Sequence, residues 1–151
     1  MEQVAVMDAN LRPNITITER DLLKLNNMIG NYEPIISWKA AEFLLSKLNR
    51  ARIVDPEGIP PTTVTMSTQV EFRYEDSGES TIVTLTYPDE QVIYRDSVSI
   101  LTPLGTALFG LSNGQSMSYM DLDGSWKTIR VLKVLHQPEA GRAFRQLPRI
   151  P

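Results

Sequence analysis

Asp55-Pro56-Glu57-Gly58-Ile59-Pro60-Pro61 divides the 151-residue chain, and Gln69-Val70-Glu71-Phe72-Arg73-Tyr74 shows what changes across it. Three prolines and Gly58 fall within six residues. Proline fixes φ and lacks an amide hydrogen, so this stretch cannot continue a helix and acts as a stiff linker. Before it, apolar residues recur at a period near 3.6. After it, Val70, Phe72 and Tyr74 alternate with Gln69, Glu71 and Arg73, the period of a half-buried strand. A helical half followed by a β half is an α+β chain with segregated parts, and the boundary falls at residue 54.

On the N-terminal side, Thr18 is placed to cap a helix, with Asp21 three residues on and Glu19 and Asp21 suited to the positive helix end. Leu22, Leu25 and Ile29 follow at helical spacing, and Gly30 reads as the stop. Asn31-Tyr32-Glu33-Pro34 is a turn. Ser37 can cap a second helix running to about Arg52, with the apolar stripe Trp38, Ala41, Leu45 and Leu48. The short connection predicts an antiparallel helical hairpin, a short coiled coil, over 15–53. Residues 1–14 read as a flexible arm, with Ile15-Thr16-Ile17 a short extended piece at its end.

On the C-terminal side, Asp76-Ser77-Gly78-Glu79 turns the chain and Thr81 to Tyr87 returns it as the second arm of a β-hairpin. Pro88 to Asp96 is a polar crossing loop, and Val98-Ser99-Ile100-Leu101 a third strand. Thr102-Pro103 opens a helix, threonine as N-cap and proline at the first helical position, and Gly110 ends it. Asn113-Gly114 and Asp123-Gly124 are turns on either side of the alternating Met117 and Tyr119. Thr128 to Leu135 is apolar on nearly both faces, as an interior strand is. Residues 54–140 are thus expected to form an antiparallel β domain with one helix that folds without the hairpin. The tail, 141–151, is expected to be mobile.

The net charge of −3 is unevenly spread. Residues 1–53 carry 7 basic and 6 acidic groups, residues 54–135 carry 5 and 11, and residues 136–151 carry 3 and 1. The acidic middle repels phosphates, so no direct sequence-specific binding of nucleic acid is expected. Apolar runs are too short to cross a membrane, and Asp8, Asn10 and Arg12 interrupt the first, so no secretory leader is expected. With no cysteine and one histidine, His136, disulfides, thiol catalysis and cysteine- or histidine-rich metal sites are excluded. A reducing, cytoplasmic compartment fits. No nucleophile elbow, phosphate loop or zinc pattern occurs. Asp121 and Asp123 lack the further oxygen ligands of a calcium loop. The sequence therefore points to no catalytic residues, metal or cofactor, and to a non-enzyme.

The stretch Ser97-Val98-Ser99-Ile100-Leu101-Thr102-Pro103-Leu104-Gly105-Thr106-Ala107-Leu108-Phe109-Gly110 resembles the C-terminal domain of the GreA/GreB transcript cleavage factors. Thr84-Leu85-Thr86-Tyr87-Pro88, Asn113-Gly114-Gln115-Ser116 and Val131-Leu132-Lys133-Val134 match in order and spacing. Within the family the chain is most similar to the branch of regulators of nucleoside diphosphate kinase (Rnk). That likeness adds the short hairpin, Val64-Thr65-Met66, Val70-Glu71-Phe72-Arg73 and Gln137-Pro138-Glu139-Ala140.

The resemblance implies an FKBP-like β domain and a cytoplasmic bacterial protein, expected to be a monomer, that docks on RNA polymerase at the rim of the secondary channel. The docking residues it implies are Ser99, Leu101, Thr102, Pro103 and Leu104, where Leu101 replaces the acid of the cleavage factors. Those factors send a long coiled coil with acidic residues at its tip into the channel. Here the tip, Asn31, Tyr32 and Glu33, offers one carboxylate on a short arm. The implied function is a polymerase-binding regulator that competes with Gre-type factors without stimulating cleavage. Two other readings stand beside it: a prolyl isomerase-like FKBP domain, and a regulator of nucleoside diphosphate kinase acting directly or through its expression.

Overall fold

A computed structural model describes residues 13–31, 38–90 and 96–140. Most of the expected arm, the turn residues Tyr32 and Glu33 and the whole of 141–151 lie outside the described residues. The chain runs β1 (Thr16–Thr18), α1 (Glu19–Asn31), α2 (Trp38–Arg50), β2 (Arg52–Val54), β3 (Gln69–Tyr74), β4 (Ser80–Thr86), β5 (Ser97–Ser99), α3 (Pro103–Leu108), β6 (Ser116–Met120) and β7 (Trp126–His136). The fold is α+β with a helix-hairpin-like start, as the change of period predicts.

The helical half closes on itself at its base. Thr18 caps α1 as expected, its Oγ1 accepting the Asp21 amide at 3.1 Å. α1 runs through Gly30 to Asn31, so that glycine lies inside the last turn. α2 ends at Arg50, two residues before the expected stop, because the Arg52 amide donates to the Ile15 carbonyl at 2.9 Å and draws the chain into β2. β2 pairs with β1 in parallel, Thr16 opposite Arg52 and Thr18 opposite Val54. The buried face of α2 also differs from the expected stripe. Leu44, Lys47 and Leu48 are buried, while Leu45 is 38% exposed. The stripe read only apolar residues, and the helix is turned to bury a lysine.

The β half is a five-stranded sheet in the order β5-β4-β3-β7-β6. β3 and β7 lie inside it, and β7 is interior as its apolar composition predicts. Pairing is antiparallel everywhere except β4–β5, which is parallel. The expected all-antiparallel sheet is therefore corrected to a mixed one. Two strands not joined by a tight turn can run the same way, and β4 and β5 do so, with Thr84 opposite Ser97 and Thr86 opposite Ser99. Register shifts between β3 and β7, at Gln69/Val70 and Glu71/Phe72, bend the sheet. One face carries Val70, Phe72, Val83, Leu85, Met117, Tyr119, Ile129 and Val131, all buried, and α3 packs against it with Ala107 and Leu108.

The core does not stop at the proline-rich connection. Ile15, Ile17, Leu25, Met28, Leu44 and Leu48 from the helical half join the same buried cluster as the sheet and α3. The helical half and the β half therefore share one buried cluster. A hairpin of two 13-residue helices has too little apolar surface to bury on its own and completes its burial against the sheet.

Candidate docking site

The strand-to-helix corner from Ser99 to Gly105 is tightly bonded. Ile100 ends the strand by donating its amide to the Thr86 carbonyl at 2.9 Å. Ser99 then organises the turn from both ends. Its hydroxyl oxygen accepts the Leu101 amide at 3.1 Å, and its carbonyl accepts the Thr102 amide at 3.0 Å and the Thr102 hydroxyl at 2.7 Å. The Thr102 Oγ1 accepts the Gly105 amide at 3.0 Å. Thr102 is thus the N-cap of α3, with Pro103 at the first turn, where its missing amide costs nothing. One turn on, the Thr106 hydroxyl donates to the Ile100 carbonyl at 2.7 Å.

Of the predicted docking residues, Ser99 is buried, and Leu101, Thr102, Pro103 and Leu104 are half-buried. Leu101 and Leu104 both pack against the core with part of each side chain left to solvent. The corner therefore presents an apolar, uncharged and rigid surface. Of the predicted tip residues, Asn31 ends α1, and Tyr32 and Glu33 lie outside the described residues.

Two groups near this corner carry no sequence-level reading as site residues. Lys47 of α2 is 1% exposed and donates to the carbonyls of Thr106 (2.7 Å), Ala107 (2.8 Å) and Phe109. These are the open carbonyls at the end of α3, where a cation is favoured. Burial pushes the Lys47 ammonium well below the ordinary lysine range, and the charge of Arg50 adds to the shift. The available signal was Lys47 standing at helical spacing between Leu44 and Leu48. Asp21 of α1 is also buried. Its Oδ1 accepts the Tyr87 hydroxyl at 3.1 Å and its Oδ2 the Met66 amide at 3.3 Å. Burial raises its carboxyl above the ordinary aspartate value and the charge of Glu139 adds to this, while the hydrogen bonds from Met66, Tyr87 and Thr18 act the other way. Lys24 lies 4.0 Å over the Tyr87 ring.

The Gln137-Pro138-Glu139-Ala140 stretch also has a structural task. The buried Gln137 amide donates to the carbonyls of Pro60 (2.7 Å) and Thr63 (2.8 Å), and the Thr65 hydroxyl donates to Glu139 at 2.6 Å. Both ends of the β half are joined there. Among the described residues no group of three metal-ligating side chains converges.

This arrangement and its order along the chain match a known pattern. The family model "Transcription elongation factor, GreA/GreB, C-term" covers residues 59–136, more than half of the chain. The chain belongs to the GreA/GreB transcription elongation factor family. The Regulator of nucleoside diphosphate kinase of Escherichia coli (strain K12) is 33% identical over 130 residues, 85% of this chain and 94% of that protein. This GreA/GreB-family chain therefore lies in the Rnk branch. Transcription elongation factor GreA of Desulfovibrio desulfuricans is 29% identical over 77 residues, 51% of this chain and 48% of that protein. The solved prokaryotic transcription elongation factor GreA/GreB from Nitrosomonas europaea matches with a TM-score of 0.64 and 35% identity, over 83% of this chain and 100% of that one. The GreA/GreB-like fold and a role as an elongation-factor-like regulator follow from membership. No described helix is long and apolar enough to cross a membrane.

Proposed function

We propose that the chain is a non-enzymatic regulator that binds RNA polymerase near the secondary channel through the corner from Ser99 to Leu104, and competes there with Gre-type factors without stimulating transcript cleavage. The observation that carries this reading is the corner itself. Its backbone is held by six hydrogen bonds within Ser99–Thr106. Its half-buried Leu101 stands where the family's cleavage factors have an acid, so the contact it offers is apolar. The hairpin supports the second half of the reading. Helices of 13 residues reach about 20 Å at 1.5 Å per residue, and Glu33 is the one carboxylate in the sequence between α1 and α2. Arm and charge both fall short of a cleavage factor's. An FKBP-like β domain, a boundary at residue 54 between helical and β parts that share one core, a monomer and a cytoplasmic location complete the proposal.

Polymerase pull-down with and without a competing Gre factor tests the binding, and backtracked complexes test the absence of cleavage. Binding that the Gre factor displaces, with no short 3′ RNA above the intrinsic rate, is expected. Leu101→Asp places a charge on a half-buried position packed on the core and should cost about 1–2 kcal/mol. It should also change polymerase affinity at least threefold. A folded Leu101→Asp protein with unaltered affinity would remove the corner from the docking surface.

A further inference from the structure

Two buried ionisable side chains, one from each helix of the hairpin, lie where the hairpin meets the β half, and neither belongs to the docking corner. The ammonium of Lys47 has three N–H groups, and three carbonyls of the α3 terminus take them, those of Thr106, Ala107 and Phe109. On the opposite helix, the two oxygens of Asp21 take the Tyr87 hydroxyl and the Met66 amide. α3 is only six residues long. Lys47 therefore holds the far end of the same short helix whose first turn is the Ser99–Leu104 corner. Apolar contacts alone would let packed helices slide by a ridge without losing much buried area. A three-pronged ammonium on fixed carbonyls has one satisfied geometry. Buried polar groups of this kind add little stability over apolar replacements, and what they can add is a single register.

We infer that Lys47, assisted by Asp21, is a positioning residue that sets the direction of the hairpin relative to the docking corner. This rests on the polymerase-docking reading for its functional meaning, since a protein held at the corner would aim its hairpin through Lys47. Its geometric content concerns the protein alone.

The chain has no cysteine, so spin labels can be placed without background. Cysteines at Glu42 of α2 and Glu79 of the β3–β4 turn, both exposed, report the hairpin-to-sheet distance by pulsed electron resonance. With Lys47 intact the distribution should be single and narrow. Lys47→Met keeps the apolar stem and removes the donors. Its distribution should be at least twice as wide while thermal unfolding stays cooperative, and about tenfold more protein should be needed to displace a Gre factor from polymerase. A folded Lys47→Met protein with unchanged width overturns the inference. Should that variant not fold, Lys47→Gln, with two donors for three carbonyls, gives the same reading. Failure of both to fold also overturns it, because the lysine is then needed for the fold and not for its direction. Widening in a protein whose parent does not bind polymerase keeps the geometric role and removes the docking reading.

Discussion

Gly105 sits one turn into α3 with its backbone against the corner it follows. A Cβ there would lie 2.0 Å from the Ser99 carbonyl oxygen and 2.8 Å from its carbon. Both are backbone atoms and cannot swing aside, so Gly105→Ala must shift the strand end or the helix. That should cost about 2–3 kcal/mol in urea unfolding. A loss under 0.5 kcal/mol would show the corner to be less tightly held than its hydrogen bonds imply. Asp21 makes a prediction about pH. Its carboxyl is raised above the ordinary value of 3.8 in the folded protein, so folding favours the protonated form. That contribution is complete below pH 3.8 and is lost as pH rises through the raised value. Asp21→Asn cannot ionise and lacks it. The stability of the natural protein relative to Asp21→Asn should therefore be greatest in acid and fall towards neutrality. A difference that grows with pH would contradict the burial of Asp21.

The elements divide by whether a local signal marks them. β3, β4, β6 and β7 were legible because each has enough residues to show alternation, and α3 because Thr102-Pro103 is a helix start at any position. The corner was legible for the same reason. β2 and the parallel β1–β2 and β4–β5 pairs were not, since a three-residue strand has no period and its partner is set by tertiary contact. The face of α2 was misread because a lysine counts as solvent-facing until three carbonyls are known to meet it. Asp21 was legible as a helix-start residue and illegible as a buried acceptor, because Tyr87 and Met66 are distant in sequence. Gly30 tests the corrected extent of α1. It is exposed, helical and without a positive φ, and a Cβ there meets nothing within 4 Å. Gly30→Ala should stabilise the protein by about 0.5–1 kcal/mol, read as a higher melting temperature. Destabilisation would return that glycine to the role of a stop.

For the whole molecule, the shared core predicts how the protein comes apart. A fragment starting at Asp55 lacks Leu25, Met28, Leu44 and Leu48 from the buried cluster and the Lys47 cap on α3. It should melt without a cooperative transition, while the full chain unfolds in one step. A cooperative melt of the fragment would show that the β half can close its core alone. The parallel pairing of β1 with β2 has a different consequence. It sets Thr16 beside Arg52, so the chain leaves for the hairpin and returns from it at one spot. Among the described residues, the contacts that seat the helices lie between that spot and the Ile29 and Phe43 level. Beyond that level the arm is a module whose length is a free variable. Seven residues added to each helix would carry the tip about 10 Å further out and leave the foundation untouched. Proteins built on this plan can therefore diverge in reach by insertion alone, with the same anchorage serving a short arm or a long one.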